Sequence, residues 1–182
     1  MSEEILKSEY LYRGKILNVR LDQVRLTDAS KTRVVPREIV EHRGAVAMVA
    51  LDAQERVVLV RQYRSAVQRE MLEIPAGTLE AGEEPAKCAI RELQEETGYA
   101  ARIWEEIGKI FPSPGYATEQ MWLYLARDLT ASAASPEDDE SLQVEQIPFS
   151  EAIAKIESGE IIDAKSIVAL LRVWKKMREA KR

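Results

Sequence analysis

Three glutamates, Glu92, Glu95 and Glu96, are the residues of this chain whose spacing most directly suggests chemistry. Apolar residues between positions 83 and 98 recur every three or four positions, which predicts a helix that ends at Gly98. On that helix the three carboxylates occupy one arc, and Glu96 borders the apolar stripe. Like charges one turn apart repel, and the helix dipole disfavours anions near the C-terminal end. Helix stability therefore does not explain this placement.

Two interpretations fit the arc of carboxylates. One is a solvated acidic face, which is common in a protein whose 31 acidic residues exceed its 26 basic ones. The other is a site for a hard divalent cation such as Mg2+, because carboxylates one turn apart offer two oxygen ligands from one rigid element. The helical pattern alone does not decide between them.

The residues that flank the glutamates decide between a solvated acidic face and a metal site. Residues 77–99 read GTLEAGEEPAKCAIRELQEETGY and match G-x5-E-x7-R-E-U-x-E-E-x-G-U, in which U is aliphatic. On this motif the chain resembles the Nudix hydrolases, which hydrolyse a nucleoside diphosphate linked to another group. Tyr99 stands where the motif has an aliphatic residue, a departure that concerns packing. Because so many residue types are fixed at set spacings, the motif is specific.

Features outside the motif resemble the ADP-ribose pyrophosphatase branch of this family. Pro114 follows Gly98 by 16 residues, and the sequence RQYR, which ends at Arg64, precedes LEIPAG. The resemblance implies Mg2+-dependent cleavage of ADP-ribose to AMP and ribose 5-phosphate. The alternatives are hydrolysis of another nucleoside diphosphate sugar, such as GDP-mannose, and a non-catalytic nucleotide-sensing module. Sensing modules tend to lose the motif glutamates, and this chain keeps them all.

The resemblance also implies which residues bind metal. Glu92 and Glu96 would be the leading ligands, Glu95 would support them, and the carbonyl of Ala76 would join them. The metal would be Mg2+, with Mn2+ as the alternative. A cation that bridges the pyrophosphate offsets its charge and stabilises charge that develops at phosphorus.

The catalytic base in this branch is a glutamate on a loop before the last core strand. Glu140 fits that position best, because it precedes the strand residue Val144 by four residues. The acidic residues 137–139 are rivals, and Glu95 is the alternative within the motif. A solvated acidic loop is the competing interpretation of this segment.

Further residues would orient the glutamates or contact substrate. Arg91 and Glu83 would form an ion pair that orients the metal ligands. Arg64 and Arg37 are candidate phosphate clamps, since a guanidinium fork matches phosphate geometry. Arg64 matches the family position better, and Arg37 is predicted to reach the site of a partner subunit. Glu73 would accept a hydrogen bond from substrate or bind metal indirectly.

Composition limits the partners. The net charge of -5 disfavours nucleic acid, and no apolar run is long enough to cross a membrane. We expect no secretory signal and a cytoplasmic location, because the single cysteine, Cys88, forms no intrachain disulfide. Cys88 is expected to lie off the apolar stripe of its helix and to be inert. A homodimer is expected, because the first 40 residues are strand-like but too few to bury a core.

The elements that must position these residues follow from hydrophobic periodicity. The order of strands, helix, strands, helix and helix predicts an α+β fold. The Nudix resemblance specifies an α/β/α sandwich with a mixed sheet. We expect a strand-rich, dimer-forming segment at residues 1–42 and the hydrolase domain at 43–182. Ser150 and Asp163 are expected to cap the last two helices, and the final helix is predicted to bury one apolar face, Ile167, Leu170, Leu171, Trp174 and Met177.

Overall fold

The computed structural model describes residues 2–28, 31–132 and 142–180, and the chain divides into two compact units. One unit comprises the residues up to Gly44 together with Phe111–Gln120. The other comprises Ala45–Ile110 and the residues from Met121 onward. The segment Phe111–Gln120 joins the first unit because it is hydrogen-bonded to Val40, whose N–H donates to Tyr116 O at 2.8 Å. The sequence-based division at residue 42 did not predict that Phe111–Gln120 belongs to the N-terminal unit.

The N-terminal unit contains a three-stranded antiparallel sheet in the order β1-β2-β3. Its strands are β1 (Ser2–Arg13), β2 (Leu17–Thr27) and β3 (Thr32–His42). Strand β2 has one buried face over its second half, because Asp22, Val24 and Leu26 are buried while the residues between them are more exposed. Strand β1 is exposed along its whole length and includes exposed apolar side chains such as Ile5 and Leu11.

The second unit is built on a mixed sheet in the order β10-β5-β4-β9-β8, with β6 paired to β5 and β7 paired to β4. Only the β4–β9 pair is parallel among the described strands. The strands are β4 (Ala45–Leu51), β5 (Arg56–Arg64), β6 (Arg69–Glu73), β7 (Ala76–Thr78), β8 (Tyr99–Ile110), β9 (Met121–Ala131) and β10 (Gln143–Pro148).

Helices cover both faces of this sheet. They are α1 (Pro85–Thr97), α2 (Phe149–Glu157) and α3 (Ala164–Ala180). Strand β4 is buried throughout, as its unbroken apolar run predicts for a strand covered on both faces. Its odd-numbered residues pack in one core with α2 and α3, and its even-numbered residues pack in a second core with α1. The predicted α+β fold and α/β/α sandwich are therefore confirmed. Among the described residues, no helix has both the length and the apolar character needed to cross a membrane.

Helix α1 ends as predicted and buries part of the expected stripe, including Ala89, Leu93 and Thr97. Gly98 adopts the left-handed conformation at φ 70° and donates its N–H to Gln94 O, which closes the helix. The expectation that Cys88 lies off the buried stripe was wrong: its side chain is fully buried, because the segment that carries Thr78 covers this side of the helix. Ile90, which the helical spacing of apolar residues also places in the stripe, is 48% exposed.

The two C-terminal helices were predicted in part. Helix α2 begins at Phe149 after Pro148, so Ser150 lies inside its first turn and does not cap it. Asp163 does cap α3, since its Oδ2 accepts the N–H of Ser166 at 2.9 Å. The predicted apolar face of α3 was partly wrong, because Leu171 and Trp174 are more than one-third exposed. The buried face instead contains Lys165, Ser166, Ala169, Leu170 and Val173.

Candidate active site

The carboxylates of Glu92 and Glu96 lie against the start of the short strand β7. The backbone N–H of Ala76 donates to Glu96 Oε2 at 3.0 Å. Gly77 approaches Glu92 so closely that a Cβ on this residue would lie under 3.0 Å from the carboxyl carbon and both oxygens. Glu96 is 4% exposed, consistent with its predicted position beside the apolar stripe. The helix and the loop therefore bring Glu92, Glu96 and Ala76 together.

Arg91 organises the carboxylates on the same helix. Its Nε and Nη2 each donate to Glu83 at 3.0 Å, and Nη1 donates to Glu95 Oε2 at 2.8 Å. Nη1 also lies 2.9 Å from Glu92 Oε1. The hydrogen bonds from Arg91 lower the pKa of Glu83 to about 2, and the same bonds raise the pKa of Arg91. The Arg91–Glu83 ion pair is thus present, and its role in orienting metal ligands stays a prediction.

The chemistry of this donor set fits a hard divalent cation. Glutamate carboxylates and a backbone carbonyl are oxygen ligands, which Mg2+ prefers. Within residues 2–28, 31–132 and 142–180, no group of three His, Cys, Asp or Glu side chains lies close enough together to hold a metal ion. Arg91 and the Ala76 N–H hold the carboxylates in their present positions. The metal-binding roles of Glu92, Glu95, Glu96 and Ala76 stay predictions.

A buried group of charges lies at the end of β6, and we call Arg64, Glu73, Asp163 and Lys165 the Glu73 cluster. Glu73 is 1% exposed. Arg64 donates to it through Nε at 3.0 Å and Nη2 at 2.7 Å, and Lys165 Nζ donates to its Oε2. Lys165 Nζ also lies 3.0 Å from Asp163 Oδ2. Two cations and two carboxylates therefore share one largely buried location.

The Glu73 cluster keeps its charges despite burial. Burial by itself disfavours the ionised carboxylate of Glu73, but hydrogen bonds and charge from Arg64 and Lys165 outweigh burial and lower its pKa. The hydrogen bonds to Glu73 raise the pKa of Arg64, and the charge of Glu96 adds to this shift. The guanidinium of Arg64 is therefore within electrostatic reach of a predicted metal ligand.

The backbone between Glu73 and Ala76 is held by several elements. Ile74 N–H donates to Ser166 Oγ of α3 at 2.9 Å, and Pro75 O accepts from Met48 N–H of β4 at 2.9 Å. The N–H of Ala76 is held by Glu96 of α1, as described above. The carbonyl of Ala76 is consequently carried by a segment whose position is set from both faces of the sheet.

The other predicted site residues lie elsewhere. Arg37 belongs to the N-terminal unit, where its Nη2 donates to Glu3 Oε1 at 3.1 Å and its side chain is 41% exposed. Glu140 and its rivals at 137–139 lie outside the described residues.

Sequence reasoning missed Lys165 and Ser166. Lys165 precedes Ala169 and Val173 by four and eight residues, so extending that buried stripe backward would have placed it on the inner face. The prediction instead followed the largest apolar residues of the helix. The buried position of Lys165 can be recognised from the sequence only if small residues such as Ala169 and Val173 are used to define the buried face of the helix.

Two regions of the chain match models of known protein families. A model of the NUDIX domain matches residues 41–170. A model of the nucleoside diphosphate sugar hydrolase N-terminal domain matches residues 3–28. The first match covers more than half of the chain and includes the glutamates of α1.

Relatives and a solved structure agree with these matches. The chain is similar to an ADP-ribose pyrophosphatase of Bacillus subtilis (strain 168), at 36% identity over 93% of this chain and 91% of the relative. It is equally similar to a methanol dehydrogenase activator of Bacillus methanolicus, at 36% identity over 92% and 90%. A GDP-mannose pyrophosphatase of Cronobacter sakazakii is 34% identical over 74% and 75%. The fold is that of an ADP compounds hydrolase, with a TM-score of 0.84, 23% identity and coverage of 99% of this chain and 96% of that one.

Proposed function

The chain belongs to the Nudix hydrolase family, and on this premise we propose that it is a metal-dependent pyrophosphohydrolase that cleaves ADP-ribose to AMP and ribose 5-phosphate. The observation that carries the proposal is the placement of Glu92 and Glu96 against Ala76 and Gly77. Two acidic side chains held beside a backbone loop form an oxygen-rich site within electrostatic reach of the guanidinium of Arg64. The similarity to an ADP-ribose pyrophosphatase over nearly the whole chain supports the choice of substrate.

Glu92, Glu96 and the carbonyl of Ala76 would hold the divalent cation, Mg2+ or Mn2+, with Glu95 in support. When bound, the cation offsets the charge of the pyrophosphate and stabilises charge that develops at phosphorus. Arg91 keeps Glu92 and Glu95 on one side of the helix, while its bidentate pair with Glu83 holds the guanidinium in place. These contacts preorganise the carboxylates, which reduces the cost of assembling the site.

Arg64 would bind a substrate phosphate. Its hydrogen bonds to described residues use Nε and Nη2, and its side chain is 40% exposed. The remaining edge, with Nη1, is the part of the fork suited to an anionic oxygen. Glu73, which the sequence suggested as a substrate or metal contact, would instead act by holding Arg64, because it is 1% exposed and already accepts three hydrogen bonds.

Glu140 would act as the general base that accepts a proton from the attacking water, with Glu95 as the alternative. A carboxylate is a suitable base here because a divalent cation lowers the pKa of water that it binds. Single amide substitutions at Glu140 and at each of residues 137–139 distinguish these candidate bases. The effect of each substitution on the maximal rate is measured. The largest loss identifies the base.

We also propose a cytoplasmic homodimer in which Arg37 of one subunit reaches the site of the other. The exposed apolar side chains of β1 and the match of residues 3–28 to the N-terminal domain of sugar nucleotide hydrolases support a paired N-terminal region. Light scattering of the full chain at micromolar concentration tests the dimer, and a monomer there would contradict it. Co-expression of R37M and E92Q chains, each weakly active alone, tests the shared site: mixed dimers should regain turnover.

A panel of substrates tests the proposal as a whole. ADP-ribose, GDP-mannose, NADH and diadenosine polyphosphates are compared by kcat/KM with Mg2+ at one pH. We expect ADP-ribose to give the highest value. A preference for GDP-mannose would establish the main alternative, which the relative from Cronobacter sakazakii supports. Binding without turnover of any of the four would establish a sensing module instead.

A further inference from the structure

Helix α3 begins beside the candidate site with three polar residues that the proposed reaction does not use. Asp163 caps the helix, Ser166 accepts the N–H of Ile74, and Lys165 donates to Glu73. Lys165 and Ser166 are buried although they lie on a surface helix. Burial of a lysine is costly unless it is paired, and Lys165 is paired with both Glu73 and Asp163.

Lys165 itself is badly placed to contact substrate. Its side chain is 10% exposed, and its ammonium group is shared between Glu73 Oε2 and Asp163 Oδ2. Arg64, which donates to the same Glu73 carboxylate, is 40% exposed. Lys165 is therefore enclosed, whereas Arg64, which shares the Glu73 carboxylate with it, is accessible to solvent.

We propose that Lys165 is a positioning residue that makes the charge of Arg64 available to a substrate phosphate, an inference that rests on the proposed function. Glu73 carries one negative charge, and Arg64 alone would neutralise it. Lys165 and Asp163 add one positive and one negative charge, so the Glu73 cluster as a whole is neutral. Without Lys165, Glu73 and Asp163 would share Arg64 as the remaining cation of the cluster, so less of its positive charge would be available to a substrate phosphate.

Geometry adds to the electrostatic effect. Glu73 Oε2 accepts from both Arg64 Nη2 and Lys165, whereas Oε1 accepts from Arg64 Nε. Lys165 thus helps to hold the carboxylate that Arg64 must reach to keep both of its bonds. Because α3 also holds the N–H of Ile74 through Ser166, the same turn of helix sets the backbone that leads to Ala76.

A double-mutant cycle with Arg64 and Lys165 tests this inference. Lys165→Met removes the charge and keeps most of the side-chain volume. We expect KM to rise about tenfold with kcat changed less than about threefold, because the lost interaction is made with bound substrate before and during the reaction. In an R64M background the same substitution should change KM by less than about twofold, since Lys165 acts through Arg64. Lys165→Arg, which keeps the charge, should restore KM to within about threefold of the wild type.

The control is Lys175→Met, which makes the same change of charge at an exposed residue of the same helix. It should leave KM and kcat unchanged. Additive effects of K165M and R64M on KM would overturn the inference. A roughly tenfold loss of kcat in K165M with unchanged KM would also overturn it. If K165M does not fold, Lys165→Gln replaces it with the same expectations, because it also removes the charge and keeps a polar side chain at this buried position.

The cycle is measured with ADP-ribose and with GDP-mannose, so a different substrate preference does not obscure it. Calorimetric titration of ADP-ribose without added metal gives a second readout, in which K165M should weaken binding about tenfold. A chain that prefers GDP-mannose but shows the coupling would contradict the proposed substrate and support the role of Lys165. A chain that prefers ADP-ribose but shows no coupling would support the proposed substrate and contradict the role of Lys165.

Discussion

Replacing Gly77 with alanine should abolish most activity without destabilising the protein. The added Cβ would lie under 3.0 Å from three atoms of the Glu92 carboxylate, so that group must retreat by about 1.6 Å or more to reach ordinary van der Waals contact. The carboxylate ends a flexible side chain, and it is displaced more easily than the backbone. Because misplacing a catalytic group by about 1 Å costs on the order of 100-fold, we expect kcat to fall by about that factor, roughly 3 kcal/mol of barrier.

Folding should not suffer, because Gly77 is not among the glycines with positive φ. An alanine there adopts the same backbone and reduces the freedom of the unfolded chain, which contributes roughly 0.4–1 kcal/mol to the free energy of unfolding. Turnover of ADP-ribose with Mg2+, calorimetric titration of Mn2+ and thermal unfolding are measured in parallel. Gly115→Ala is the matched control, since its Cβ would meet open space. Turnover of G77A within about threefold of the wild type would refute the reasoning.

Three further predictions follow from the same site. Glu92→Gln and Glu96→Gln should each reduce Mg2+-dependent turnover by on the order of 100-fold or more in a folded protein, and near-normal turnover in either variant would disprove the ligand assignment. Glu140→Gln should lower kcat by about 100- to 10,000-fold with little change in KM, and calorimetry should show that Mg2+ still binds. Because the pKa of Glu83 is lowered from 4.5 to about 2, its pairing stabilises the folded state fully above pH 4.5 and is lost as the pH falls toward 2. Unfolding of Glu83→Gln should depend less steeply on pH across this window, and identical slopes would contradict the pairing.

The main helix and the sheet were predictable because local patterns agree with the fold. Helix α1 has a helical apolar period and a glycine that adopts the left-handed conformation at its end. Strand β4 has an unbroken apolar run that only a doubly covered strand tolerates. In both cases the residues that decide the element lie next to one another in the chain.

The errors arose where distant residues decide burial. Cys88 is buried because the segment at Thr78 covers it, and no pattern within α1 reveals this cover. Trp174 is exposed because α3 turns its smaller residues, such as Ala169, toward the sheet. The pairing of Lys165 with Glu73 joins residues 92 positions apart, so it becomes visible only when β6 and α3 are placed together.

The same distinction applies to the site. The motif brought Glu92, Glu96, Arg91 and Glu83 to one helix and its preceding loop, and the structure places them in contact with one another or with that loop. It did not predict that Gly77 would have to lack a side chain for Glu92 to occupy its position. Close approach between a backbone and a carboxylate depends on tertiary packing, which spacing alone does not encode.

The most direct test of the account is the identity of the products formed from ADP-ribose. Phosphorus NMR of the purified full chain with ADP-ribose should show the pyrophosphate resonances replaced by two monophosphate resonances of equal intensity. These should correspond to AMP and ribose 5-phosphate, form only when Mg2+ or Mn2+ is present, and disappear in Glu96→Gln. Unchanged ADP-ribose in the presence of metal, or cleavage that yields ADP and free ribose, would contradict the account.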